Sequence, residues 1–117
     1  MRRHIATGKL GEDLAAGWLL NRGFKILNRN WKGDRLEIDL IAKKENTLHF
    51  IEVKTRRSHW FGLPEQRVGR RKIQNMASAA ELFLISTNSE CMIQLDIMAI
   101  SLVKGQIDYF FIEDIYL

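Results

Sequence analysis

Leu36-Glu37-Ile38-Asp39-Leu40-Ile41-Ala42 and Thr47-Leu48-His49-Phe50-Ile51-Glu52-Val53-Lys54-Thr55 are the two segments that decide the fold of this chain. Each alternates apolar and polar residues with period two, the pattern of a strand with one buried face. Glu37 and Asp39 fall on one face, with Leu36, Ile38 and Leu40 on the other; Glu52 and Lys54 oppose Ile51 and Val53 in the same way. Lys43-Lys44-Glu45-Asn46 reads as the hairpin turn between them. A turn centred on Glu45-Asn46 sets Asp39 opposite Glu52 and Glu37 opposite Lys54. A slip of one residue would turn one strand's charges to the apolar side, so face matching selects this register. The expectation is three carboxylates and one ammonium on a small patch of sheet.

Like charges opposed across two strands destabilise a sheet by roughly 0.2–1 kcal/mol when exposed, and by more when buried. A divalent cation reverses that sign. Mg²⁺ takes one or two carboxylates together with waters and phosphate oxygens, and Asp39 and Glu52 offer such a pair. Lys54 stands about 7 Å beyond Glu52 on the same face, where an ammonium can hold an attacking water or stabilise charge on a phosphate. Glu-x-Lys alone is ordinarily a solvated sheet face with a weak ion pair. Glu-x-Asp at a matched register on the neighbouring strand makes it a candidate site for metal-assisted phosphodiester hydrolysis.

The remaining sequence supports that reading. One domain is expected from 117 residues, with 46% hydrophobic content and a single Pro. Cys91 stands alone, which excludes a disulfide framework or a cysteine metal site and fits a reducing cytoplasm. No uninterrupted apolar run approaches membrane-spanning length, and the basic start lacks the apolar stretch of a secretory signal, so a cytoplasmic protein with no membrane partner is expected. The net charge of +4 is segregated: residues 1–72 hold 17 of the 18 Lys and Arg against 8 acids, a balance of +9, and residues 73–117 balance at −5. Lys54, Arg56, Arg57, Arg67, Arg70, Arg71 and Lys72 form the densest basic run, starting where the carboxylates end. A polyanionic partner is implied, most naturally a nucleic acid backbone.

Along the chain, Thr7 is the expected N-cap of a helix running to about Arg22, with Gly23 as its stop. Glu12 projects away from its Leu10/Leu14 stripe, serving either the helix dipole or the carboxylate patch. Phe24–Trp31 reads as a first strand, with Lys32-Gly33-Asp34-Arg35 as its turn. His59, Trp60 and Phe61 lie in a loop; Trp60 and Phe61 are candidates to stack on an unpaired base or to anchor that loop. Pro64-Glu65 opens a second helix to about Ile85, with basic first turns and an apolar second half. Met92–Ser101 and Ile107–Tyr116 are the last strands, joined by a turn at Lys104-Gly105. The order α-β-β-β-α-β-β, with a helical crossover between the third and fourth strands, gives an α/β class: an antiparallel meander plus a parallel strand, flanked by helices.

With Glu12, Glu37-Ile38-Asp39, Glu52-Val53-Lys54 and the basic helix in this order, the chain resembles the PD-(D/E)xK nuclease superfamily of restriction-endonuclease-like fold. It looks most like the YraN-type family of small bacterial proteins. The likeness covers nearly the whole chain, through Gly11-Glu12-Asp13, Glu37-Ile38-Asp39-Leu40-Ile41, Phe50-Ile51-Glu52-Val53-Lys54-Thr55-Arg56, Phe61-Gly62 and Pro64-Glu65. Asp39 matches the superfamily's Asp, Glu52 and Lys54 its (D/E)xK pair, Glu12 a helix-borne acid, and Lys72 a basic position on the second helix. Ile38 stands where the superfamily's Pro would be, and Leu36 replaces a small residue.

The resemblance implies a Mg²⁺- or Mn²⁺-dependent endonuclease acting on DNA more than RNA, branched or recombination-intermediate DNA included. Asp39, Glu52 and the Val53 carbonyl would hold the metal, Lys54 would position water, and Glu12 would complete the site; Glu37 is expected to pair with Lys54. Arg56, Arg57, Arg70, Arg71 and Lys72 are the expected phosphate contacts. Cutting two strands needs two sites, so a homodimer is expected. Two rivals are a non-catalytic nucleic-acid-binding adaptor in recombination, repair or DNA uptake, and a plain structural domain.

Overall fold

Alternation of the kind seen in Leu36–Lys44 builds a single five-stranded sheet. The structure is a computed structural model and describes residues 2–58 and 68–115. Helix α1 is Arg2–Leu20, followed by strands β1 (Lys25–Gly33), β2 (Leu36–Lys44) and β3 (Thr47–Arg56), helix α2 (Arg70–Thr87), and strands β4 (Met92–Val103) and β5 (Gln106–Ile112). The strands lie in sequence order across the sheet. β3 and β4 run parallel and every other pair is antiparallel, as the crossover through α2 requires. No helix among the described residues is long and apolar enough to cross a membrane.

Two-residue turns fix the hairpins. Gly33 pairs with Leu36 around left-handed Asp34 and Arg35, and Val103 pairs with Gln106 around left-handed Lys104 and Gly105. Lys44 pairs with Thr47 around Glu45-Asn46, the expected centre, which gives the expected register: Leu40 faces Ile51, Ile41 faces Phe50, and Ala42 faces His49.

Each helix covers one face of the sheet. Ala15, Ala16 and Leu19 of α1 pack on Leu40, Ala42, Ile51, Met98 and Ile100. Met76, Ala79, Ala80 and Phe83 of α2 pack on Ile38, Ile41, Leu48 and Phe50. Both helices end by the same device. Gly23 (φ 88°) lets the Phe24 N–H return to the Leu19 carbonyl, and Asn88 (φ 51°) lets the Ser89 N–H return to that of Leu84. The Gly23 stop was legible in advance.

Helix starts differ from expectation. α1 begins at Arg2, so Thr7 lies inside the helix and does not cap it. The Pro64-Glu65 start lies outside the described residues, as do His59, Trp60, Phe61 and Arg67; the described helix begins at Arg70 behind an extended Gly69.

One correction bears on the site. Ile38 and Leu40, two residues apart, do not share a face: Ile38 packs beneath α2 and Leu40 beneath α1. β1 switches at the same level, because Arg29, the partner of Leu40, bonds Asp13 of α1, whereas Trp31, the partner of Ile38, packs edge-on to Phe83 of α2. Between these pairs stand Asp39 and Asn30, and Asn30 is left-handed (φ 52°). A left-handed residue inside a strand bends and twists it locally, which interrupts the period-two alternation.

Candidate active site

The break at Asp39 makes a fork. The β2–β3 ladder ends at Leu40 and Ile51. Just beyond, the Val53 N–H donates to Asp39 Oδ2 at 2.8 Å. A side chain thus takes a backbone donor at the point where the two strands part, and Asp39 is aimed into the gap beside Glu52.

Glu52 is 6% exposed and sits between two lysines. Lys54 Nζ lies 3.5 Å from its Oε2 and Lys72 Nζ lies 3.3 Å from its Oε1. Lys72, expected as a phosphate contact, therefore reaches the acidic centre itself from the first turn of α2. Glu37 does not pair with Lys54. It is exposed and opposite Lys32 on β1, because the ladder to β3 has already ended. The third carboxylate of the cluster is Glu12, from α1.

A cleft of about 600 Å³ opens on Glu12, Asp39, Glu52 and Val53, with Arg56 and Arg57 at its border. Its electrostatics follow from the crowding of acids. The Asp39 carboxyl is pushed up from its ordinary 3.8 to about 7: first by removal from water, next by the Glu52 charge, with a hydrogen bond to Glu52 and the Glu12 charge adding to it and the Val53 N–H opposing.

Gly11, beside Glu12 on α1, owes its place to packing. A Cβ on Gly11 would fall 1.8 Å from Thr55 Oγ1, so only glycine lets α1 lie against β3 and bring Glu12 to the fork. The available signal was a glycine inside a helix, which is unfavourable by about 1 kcal/mol relative to Ala unless packing requires it. Thr7, freed from capping, accepts a hydrogen bond from Arg57 Nε at 3.0 Å and ties the end of β3 to α1.

Asp39, Glu52, Lys54 and Glu12 are therefore together, as expected. Arg56 and Arg57 stand at the cleft border, and Arg70 and Arg71 are exposed on the first turn of α2, one and two residues before Lys72.

A family model described as "Uncharacterised protein family UPF0102" matches residues 11–100, which contain every one of these side chains. Among the similar chains are UPF0102 proteins of three bacteria. That of Chloroherpeton thalassium is 37% identical over 99% of this chain and 97% of its own. That of Flavobacterium psychrophilum is 43% identical over 86% and 84%, and that of Syntrophomonas wolfei 50% identical over 68% and 70%.

Proposed function

The chain belongs to the UPF0102 family, the YraN-type family its residues resemble, and we infer that it is a divalent-metal-dependent endonuclease hydrolysing phosphodiester bonds in DNA, branched DNA included. One observation carries this: Asp39, Glu52 and Glu12 converge at a strand fork with Lys54 and Lys72 beside them, crowded enough to hold the Asp39 carboxyl at about 7. Binding alone gives no reason to force acids together at such a cost. Membership in the PD-(D/E)xK superfamily would account for the same residues.

The donor set fits Mg²⁺ or Mn²⁺. It is all oxygen, anionic, and open to a cleft with room for waters and a phosphate. Asp39, Glu52 and the Val53 carbonyl would hold the ion. Once bound, it supplies positive charge at the scissile phosphate and acidifies a water. Lys54, an ammonium paired with Glu52, would orient the attacking water by donating to its oxygen. Lys72 holds Glu52 in place from the opposite side, and Glu12 takes the remaining side of the cleft. Arg56, Arg57, Arg70 and Arg71 contact the phosphate backbone, without reading sequence. Two-fold pairing of chains would supply the second site needed to cut both strands.

The test is cleavage of linear, single-stranded and four-way branched DNA, and of RNA, with and without Mg²⁺ or Mn²⁺. Metal-dependent cutting is expected, lowered about 10²–10⁴-fold by Asp39→Asn or Lys54→Ala. No cutting, or cutting indifferent to both substitutions, refutes the reading. Salt-sensitive binding that survives Asp39→Asn without any cutting would instead identify a non-catalytic adaptor.

A further inference from the structure

A second cleft, of about 440 Å³, lies at the opposite end of β3. Trp18 and Arg22 of α1, Lys44 of β2, His49 of β3 and Glu113 beyond β5 border it. None of these residues takes part in the site at the fork.

His49 is 4% exposed and Asp96, behind it on β4, is wholly buried. His49 Nδ1 lies 2.6 Å from Asp96 Oδ2. The other Asp96 oxygen accepts from the Asp114 N–H at 2.9 Å and from Gln94 Nε2 at 3.3 Å. Left-handed Asp114 (φ 62°) turns the chain, and the Ile115 N–H then returns to the Leu95 carbonyl at 2.8 Å. This closure seats Glu113 next to the buried pair. One ligand atom each from His49, Asp96 and Glu113 lie within 4.8 Å of one another.

A buried His–Asp pair could serve only to clamp the end of β5 onto the sheet. A clamp accounts for Asp96, but not for the rest. It gives no reason for the buried imidazole to line an open cleft rather than packed core. It also gives no reason for a third ligand group, Glu113, to stand within reach. A tetrahedral ion about 2.0–2.2 Å from each ligand atom holds them about 3.3–3.6 Å apart, so it would take the place of the proton between His49 Nδ1 and Asp96 Oδ2, opening that 2.6 Å contact while Glu113 closes on it. Nitrogen with carboxylate oxygen suits zinc-type ions better than Mg²⁺. The Asp114 and Gln94 contacts are the outer hydrogen bonds that commonly orient a ligating carboxylate.

We propose that His49, Asp96 and Glu113 form a second divalent-metal site, for an ion of the zinc class, with its remaining positions open to the cleft. It shares no residue with the Asp39 site, so either can fail alone.

The experiment is calorimetric titration of chelator-treated full-length protein with Zn²⁺, in an Asp39→Asn background so that the fork does not contribute. One zinc equivalent is expected. Adding Glu113→Gln, a change at an exposed residue that leaves the fold intact, should weaken binding at least about tenfold. Titration with Co²⁺ should give visible absorption bands that Glu113→Gln alters. No zinc bound in the Asp39→Asn background, or an affinity indifferent to Glu113→Gln, overturns the proposal.

Discussion

Asp39 and Asp96 stand on the two strands that flank β3, one on β2 and one on β4, and their surroundings are opposite. Asp96 is met by donors: an imidazole nitrogen, a backbone N–H and a side-chain amide. Asp39 is met by one backbone N–H and by acids. Burial of a carboxylate is tolerated where hydrogen bonds replace water. At Asp96 they do, and the acid holds the fold together. At Asp39 they fall short, so the folded protein keeps a proton there up to about pH 7. The same residue type is therefore satisfied by donors on one side of β3 and left short of them on the other.

Replacement of each aspartate tests that contrast, with opposite signs. Asp96→Ala should have the largest effect, a loss of about 3–5 kcal/mol in denaturant unfolding, since it strands His49 and the Asp114 N–H. Asp39→Asn should do the reverse at alkaline pH. The folded protein retains the Asp39 proton up to about pH 7, whereas the unfolded chain releases it near 3.8. The native state binds more protons across that interval, so wild-type stability falls as pH rises through it. The metal-free variant should thus be more stable than wild type at pH 8, on the order of 2–4 kcal/mol, with the gap closing below pH 4. Equal stability curves from pH 4 to 8 would remove the distinction between the two aspartates.

Smaller changes sharpen it. Gly11→Ala pushes α1 off Thr55 and should lose about 1–3 kcal/mol in thermal or denaturant unfolding, while drawing Glu12 away from Asp39 and slowing cleavage. Glu12→Gln removes the weakest of the charges that raise Asp39 and should lower that pKa only slightly, as followed by carboxyl NMR titration. A large drop would place Glu12, rather than Glu52, as the main antagonist.

The hairpin, its register and the α/β order were legible because face matching admits only one pairing of Leu36–Ala42 with Thr47–Thr55. Gly23 was legible because a left-handed helix stop favours glycine. The fork was not. Period-two reading presumes an unbroken ladder, and nothing at Ile38-Asp39-Leu40 announces that alternation fails there; its companion Asn30, the sixth residue of β1, reads as an ordinary strand residue. Hence an unbroken ladder would set Glu37 against Lys54, whereas it faces Lys32. Lys72 was recognised as basic, but its reach to Glu52 depends on where α2 begins, and Gly69 fixes that start by remaining extended. Thr7 looks like a cap because capping chemistry is local, whereas its bond to Arg57 spans fifty residues.

The parallel pairing of β3 with β4 orders events in folding. Three of the four strand contacts are closed by two-residue turns, while this one must wait for a connection that includes all of α2. Long closures are the slow ones. The segments bearing Glu12, Asp39, Glu52 and Lys54 all precede that closure, and Lys72 lies within it. The acids of the fork thus come from the part of the chain that emerges first from the ribosome, and the second lysine that steadies them arrives later.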